Sequence, residues 1–237
     1  MNHPQAIIFD LDDTLLDDSS QVEACWQEAC GEAAARLAGL DQVALRAAIK
    51  QEADWYWSDP DRHREGRLDL RAATAGIVAR ALSAMGIDRP DLARETSDCY
   101  RDLRDERLCL VEGAIETIEW FRSRGVRLGM ATNGSAAGQG AKIERFRLAP
   151  YFDRIIVEGE FGAGKPNREV YEALFTTLGA EPAKTWSVGD NLEWDVGAPQ
   201  SFGAYGIWVD VRRGGLADDS PIRPDRIVQS VRELIER

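Results

Sequence analysis

The chain has 237 residues, enough for one large domain or for one domain carrying a sizeable insert. Hydrophobic residues make up 44%, so a real core is expected, and a net charge of −12 disfavours nucleic acid and anionic membrane as general partners. His3 and His63 are the only histidines, which excludes a multi-histidine zinc site, would force a Ser-His-Asp hydrolase to run on His63, and leaves chemistry to the carboxylates.

The polar start, Met1 to Gln5, precedes an apolar run of only Ala6 to Phe9, too short for the apolar region of an export signal. No apolar run approaches the roughly 20 residues of a membrane span. Cys25, Cys30, Cys99 and Cys109 show no Cys-x-x-Cys pairing and suit a reducing compartment, so a cytoplasmic location is expected.

Gln5 to Phe9 reads as a short buried strand, because Ile7, Ile8 and Phe9 form a continuous apolar run. Asp10 to Asp18 follows as an acidic loop. From Ser19 to about Leu103 the pattern turns helical: Val22, Trp26, Ala29, Ala33 and Leu37 share one face, and Asp41 is placed to cap a helix carrying Leu45 and Ile49. Trp55 to Asp69, with Pro60 and Gly66, reads as irregular and charged. A helix starting near Asp69 shows Leu70, Ile77, Ala81 and Met85 on one face and stops at Gly86; Pro90 opens another.

After about Leu108 strands and helices alternate. Gly113 to Arg124 is helical and ends at Gly125, Arg127 to Thr132 is a strand, Ile143 to Phe146 lies in a helix, and Arg154 to Val157 is a strand. Asn167 caps a helix with Val170, Leu174 and Leu178, closed by Gly179. Thr185 to Val188 and Tyr205 to Val209 are strands, and Ile227 to Glu236 is the last helix. Repeated βα units predict an α/β fold: a Rossmann-like, doubly wound parallel sheet with an inserted α-helical domain after the first strand. The expected partition is a core of residues 1–18 and 108–237 and a helical cap of residues 19–107. Sites in such sheets lie beyond the C-terminal strand ends, where an insert would act as a lid.

Four clusters carry candidate chemistry. Asp10-Leu11-Asp12-Asp13-Thr14-Leu15 follows the first strand; Asp10 and Asp12, two apart, can face one side of an extended chain. One carboxylate can attack phosphorus and the other can shuttle protons, though an acidic loop of this kind is also an ordinary solvated turn. Ala131-Thr132-Asn133-Gly134 offers a hydroxyl, an amide and a loosened backbone to phosphate oxygens, or is a plain Asn-Gly turn. Gly164-Lys165-Pro166 holds one of only four lysines (Lys50, Lys142, Lys165, Lys184) among 29 basic residues, so a lysine in this loop is less casual than usual, although a surface lysine is the alternative. Gly189-Asp190-Asn191-Leu192-Glu193-Trp194-Asp195 places Asp190 to complete a magnesium site with Asp10 and Asp195 to orient Lys165; both acids are otherwise explained by a helix N-terminus. A bound phosphate, at about −1.5 to −2 charges, would need positive charge supplied locally in so acidic a chain.

All four clusters fall at strand ends, in the order acid, hydroxyl, lysine, acid. This joint pattern resembles the haloacid dehalogenase-like (HAD) hydrolase superfamily, whose signature is DxDx[TV], then Ser/Thr, then Lys, then an acidic pair. Asp10, Asp12, Thr132, Lys165, Asp190 and Asp195 stand at those positions. The stretches Phe9 to Leu15, Ala131 to Gly134 and Gly189 to Asp195 are most similar to the branch containing N-acylneuraminate-9-phosphatase and pyrimidine 5′-nucleotidase. The resemblance spans the chain, because the helical insert is that family's cap. It implies a magnesium-dependent phosphatase acting on a small phosphorylated metabolite (a sugar phosphate or nucleotide-like) through an aspartyl-phosphate. It implies Asp10 as nucleophile and Asp12 as acid/base. Thr132, Asn133 and Lys165 would bind phosphate, and Asp10, the Asp12 backbone carbonyl and Asp190 would bind Mg2+, with Asp195 in support. Pro199 departs from a regular helix after the fourth cluster, so that helix is expected to start near Asp195.

Dehalogenases of this superfamily lack the second acid of the first motif, so Asp12 weighs against dehalogenation. A mutase that retains the phosphoryl group stays open, as does, more remotely, a phospho-receiver or a non-catalytic binding protein. Selectivity is expected from the insert, where Trp55, Tyr56, Trp57, Arg62, His63, Arg64, Arg67 and Arg71 crowd together. Trp57, Arg62, Arg64 and Arg67 are the candidates for contacting substrate; the competing reading makes the aromatics core and pairs the arginines with Asp59, Asp61, Glu65 and Asp69.

Overall fold

A computed structural model describes residues 3–235. The chain divides into two compact units, Met1–Asp17 with Cys109–Arg237, and Asp18–Leu108. Among the described residues no helix is long and apolar enough to cross a membrane.

In chain order the first unit opens with strands β1 (Ala6–Phe9) and β2 (Leu16–Asp17). The second unit holds helices α1 (Val22–Arg36), α2 (Gln42–Trp57), α3 (Pro60–Leu68), α4 (Leu70–Ala84) and α5 (Pro90–Arg107). The first unit resumes with β3 (Cys109–Leu110), α6 (Ala114–Arg122), β4 (Arg127–Thr132), α7 (Ala136–Arg145), β5 (Arg154–Val157), α8 (Glu158–Phe161) and α9 (Arg168–Leu178). It closes with β6 (Thr185–Gly189), a π-helical turn (Leu192–Gly197), α10 (Ala198–Gln200), β7 (Tyr205–Val209) and β8 (Arg226–Val228).

The main sheet has the order β5-β4-β1-β6-β7-β8, and every pairing in it is parallel. β1 is central because its four residues are all buried, so neither face needs solvent. Ala6 and Ile8 pack with Val170, Tyr171, Leu174 and Leu178 of α9 on one face, and Ile7 and Phe9 alternate to the other. The strand order reverses at β1: the chain moves outward through β4 and β5 on one side, then through β6, β7 and β8 on the other. That switch point opens a crevice at the C-terminal ends of β1, β4 and β6. The register aligns Phe9 with Met130 and with Val188, and the Asp10 amide donates to Val188 O at 2.9 Å. Asp10, Thr132 and Asp190 are therefore delivered to neighbouring strand ends by pairing alone. The antiparallel pair β2–β3 forms the stem through which the chain leaves for the helical unit and returns.

The helical unit has its own core. Cys25, Ala29, Leu45, Ile49, Ile77, Val78, Leu82 and Leu92 are buried in one cluster, and Trp26 stacks on Tyr100 with ring centroids 3.6 Å apart. Asp41 caps α2 as expected, accepting from Val43 N and Ala44 N.

Three sequence expectations are corrected. Trp55 to Asp69 is not irregular: α2 runs to Trp57, and Asp59 caps α3 by accepting from Arg62 N at 2.9 Å, with Pro60 in the first turn. Pro60 and Gly66 signal breakage only when their position is ignored; proline is favourable at a first turn, and Gly66 lets Tyr56 and Trp57 pack against its Cα, where a Cβ would meet Tyr56 Cε1 at 2.7 Å. Residues 227–235 are not a helix. Ile227 and Val228 belong to edge strand β8, Val231–Leu234 is one 3-10 turn, and Glu236 lies outside the described residues. Asn167 sits at the head of α9 but its side chain makes no capping hydrogen bond.

Candidate active site

β1 ends at Phe9 and leaves Asp10 8% exposed at the mouth of the switch point. Lys165 reaches it from the loop before α9, with Nζ 2.7 Å from Asp10 Oδ1 and 2.6 Å from Asp195 Oδ1. Lys165 is 3% exposed and Asp195 equally so. Burial alone would drive the lysine neutral, but the two carboxylates outweigh it and raise its pKa, so it stays an ammonium. Burial pushes the Asp10 carboxyl above its ordinary range, against the pull of Lys165.

Asn133 has a different task from the one expected of its side chain. Its Nδ2 donates to Lys165 O and its Oδ1 accepts from Lys165 N, both at 2.7 Å. The amide thus holds the lysine loop with one of its two N–H donors and its oxygen, which leaves the second N–H for another acceptor. Gly164 permits this approach: a Cβ there would come within 2.7 Å of Asn133 Oδ1 and 2.5 Å of Glu158 Cδ. Glu158, buried just past β5, accepts from Gly134 N at 3.0 Å and fixes the turn that follows Thr132.

The fourth cluster is ordered by its own turn. Asn191 accepts from Glu193 N and Trp194 N, both at 3.0 Å, and starts a π-helical turn at Leu192 rather than a helix near Asp195. The wider register explains how Pro199 is accommodated. In an i→i−5 pattern the missing Pro199 N–H would have met Trp194 O, and that carbonyl accepts from the Tyr171 hydroxyl instead. The turn swings Asp195 back under β6, where Oδ2 accepts from Asn191 N at 3.0 Å. Only glycine fits beneath it, since a Cβ on Gly189 would lie 2.2 Å from Asp195 Cγ.

Asp190 stands beside this pair, and Trp208 Nε1 donates to its carbonyl at 2.7 Å. Among the described residues its carboxylate meets no hydrogen-bond donor. Burial, then the charges of Asp10, Asp195 and Asp13, push its pKa well up. Oxygens of Asp10, Asp190 and Asp195 lie within 4.8 Å of one another. One lysine against three carboxylates leaves net negative charge in a buried place, and the donor set is oxygen only, so the residues fit a hard cation such as Mg2+. The Asp12 side chain is turned elsewhere: Oδ1 is 2.7 Å from Lys142 Nζ and Oδ2 is 2.9 Å from Gln139 Nε2. Thr132, 3% exposed, ends β4 with its hydroxyl accepting from Gln139 Nε2.

Gln139, Lys142 and Glu158 are site residues that the motifs missed. Lys142 carried a signal, being one of four lysines in an arginine-rich chain, three residues from Gln139 on one helix face. Glu158 carried none, because nothing local marks a buried acid one residue beyond a strand.

Of the insert residues, Trp57 packs against the helical core and Arg62 donates to Trp55 O at 2.6 Å and Tyr56 O at 3.2 Å, closing the C-terminal end of α2. Arg67 lies 3.3 Å from His63 Nδ1. Arg64 is exposed and makes no ion pair among the described residues.

A doubly wound α/β unit with lysine-bridged carboxylates at its switch point defines a class of hydrolase that works with carboxylates in place of a Ser-His pair. A family model for haloacid dehalogenase-like hydrolases matches residues 4–203, and the chain belongs to that family. It is 30% identical to the phosphoserine phosphatase of Thermus thermophilus, over 96% of both chains. It is 32% identical to rat N-acylneuraminate-9-phosphatase, over 63% of this chain and 60% of that one. It is also 26% identical to a (S)-2-haloacid dehalogenase of Pseudomonas sp. strain YL, over 100% of this chain and 95% of the other. Among solved structures, the HAD-hydrolase YfnB of Bacillus subtilis, bound to magnesium, superposes with a TM-score of 0.72 at 22% identity, covering 98% of this chain and 97% of that one.

Proposed function

We propose that this chain is a magnesium-dependent phosphatase of small phosphorylated metabolites, with Asp10 as nucleophile and Asp12 as acid/base. The observation that carries the reading is the separation of the two carboxylates. Asp10 is tied to Lys165, while Asp12 is held apart by Lys142 and Gln139. A displacement that expels an alkoxide needs a second, independently placed acid, and one that expels halide does not. The similarity to named phosphatases supports this reading, and the similarity to a dehalogenase supplies its alternative.

In the proposed reaction an Asp10 carboxylate oxygen attacks phosphorus, the P–O bond to the metabolite breaks, and Asp12 gives its proton to the departing oxygen. Asp12 then takes a proton from water as that water attacks the phosphorus of the aspartyl-phosphate, releasing phosphate and restoring Asp10. Lys165 orients the Asp10 carboxylate and offers charge to the phosphoryl oxygens, and Thr132 offers a hydroxyl. Asp10, Asp190 and the Asp12 carbonyl would hold Mg2+, which supplies positive charge against the phosphoryl oxygens.

The test is phosphate release from a panel holding phosphoserine, acyl-sugar and other sugar phosphates and nucleoside monophosphates, with a 2-haloacid assayed for halide in parallel. Phosphate release in the presence of magnesium is the expected result. Halide release with no phosphate from any ester would assign the dehalogenase reaction instead.

A further inference from the structure

We infer that Gln139 and Lys142 of α7 are positioning residues for the reaction, clamping Asp12 from both carboxylate oxygens and turning the Thr132 hydroxyl toward the substrate's phosphoryl group. This rests on the phosphatase reading above. The terminal torsion of an aspartate is soft and roughly two-fold, so an unclamped Asp12 would sample orientations in which its oxygens miss the leaving group. Here one oxygen meets Lys142 Nζ at 2.7 Å and the other meets Gln139 Nε2 at 2.9 Å. The Gln139 side chain is buried and the Lys142 side chain is 12% exposed, so neither is a casual surface contact.

The polarity of the Gln139 contacts is forced. In the step in which Asp12 takes a proton from water it is a carboxylate and only accepts, so Gln139 must then present its amide N–H to it rather than its carbonyl. The same nitrogen contacts Thr132 Oγ1, which must then accept as well. The Thr132 proton is left to point away from Gln139, as a donor. One glutamine therefore fixes the orientation of the acid/base and the sense of the phosphate-binding hydroxyl together.

Lysine usage is the second observation. Of the four lysines in the chain, Lys165 sits on Asp10 and Lys142 on Asp12, so each acid of the first motif has its own ammonium. An ammonium is a compact point charge that satisfies one carboxylate oxygen and leaves the other free for a separate donor, whereas a guanidinium fork tends to take both.

The experiment is a double-mutant cycle between Lys142→Met and Asp12→Asn, measured as kcat/KM on an alkyl phosphate and on an aryl phosphate with a good leaving group. With Asp12 intact, Lys142→Met should cost about 10- to 100-fold on the alkyl ester and much less on the aryl ester. In the Asp12→Asn background it should cost no more than about twofold on the aryl ester. Lys142→Arg, which keeps a donor, should recover part of the alkyl-ester loss. Gln139→Leu should show the same leaving-group split and, in addition, a raised KM on both esters. Equal losses on both esters, or a Lys142→Met loss undiminished in Asp12→Asn, would overturn the inference and make α7 merely structural; should Lys142→Met not fold, Lys142→Gln in the same cycle decides. A wild-type enzyme that released no phosphate from either ester would instead overturn the phosphatase reading.

Discussion

At the scale of single residues, the site is a set of carboxylates kept distinct by what touches them. Asp10→Asn should abolish turnover and leave the fold intact, because no other carboxylate shares the end of β1 and Lys165 can still bond to the amide oxygen. Asp12→Asn should cost about 10²–10⁴-fold on esters with poor leaving groups and less on aryl phosphates. Gly189→Ala tests the geometry from outside the reacting groups. Its Cβ would occupy the Asp195 carboxyl position, 2.2 Å from Cγ, so Asp195 must leave Lys165. Activity should fall by at least about tenfold with the fold retained by circular dichroism; unchanged activity would mean that the Asp195–Lys165 contact is dispensable.

At the scale of elements, what was legible in the sequence was whatever a local pattern encodes. The strand Arg127 to Thr132 and the helix closed by Gly179 are written in apolar runs, periodicity and a glycine with φ of +53°. Asp10, Thr132 and Asp190 are legible because each directly follows or ends a strand, and Lys165 because lysine is rare in the chain. The stretch Trp55 to Asp69 is not legible locally because Pro60 and Gly66 look like breakers, whereas one opens α3 and the other lets rings approach it. The end of the chain is not legible locally because Ile227 and Val228 pair with β7, a partner some twenty residues away. Gln139's contact with Asp12 and the Tyr171 bond to Trp194 O likewise depend on residues far apart in sequence. The corrected α3 separates two kinds of arginine. Arg62→Ala removes charged donors from Trp55 O and Tyr56 O and should destabilise the helical unit by about 1–2 kcal/mol, read by thermal unfolding. Arg64→Ala removes no such bond and should leave the midpoint unchanged. If Arg64 contributes to selectivity, its loss should raise KM for the natural substrate and not for a small aryl phosphate.

At the scale of the whole molecule, a chain of net charge −12 that handles a phosphate must gather its positive charge at one place. Lys165 and Lys142 supply two charges at the switch point, and the trio Asp10, Asp190 and Asp195 leaves room for a cation. Chelation should stop turnover and Mg2+ should restore it. Binding should also raise the unfolding midpoint, by about 2.7 kcal/mol of stability at a hundred times the dissociation constant. Asp190→Asn should lose that metal-dependent shift while unfolding at a higher temperature than the metal-free wild type, because it replaces a carboxyl whose ionised form is disfavoured by burial and the neighbouring acids. A magnesium shift of wild-type size in Asp190→Asn would place the metal elsewhere.

The covalent intermediate tests the central claim most directly. Asp12→Asn, mixed with magnesium and an aryl phosphate and quenched in acid, should form the aspartyl-phosphate readily and hydrolyse it slowly. Peptide mass spectrometry should then find one phosphoryl group on Asp10, and none in Asp10→Asn treated alike. Continued phosphate release with no label on Asp10, or a label on another residue, would contradict the account.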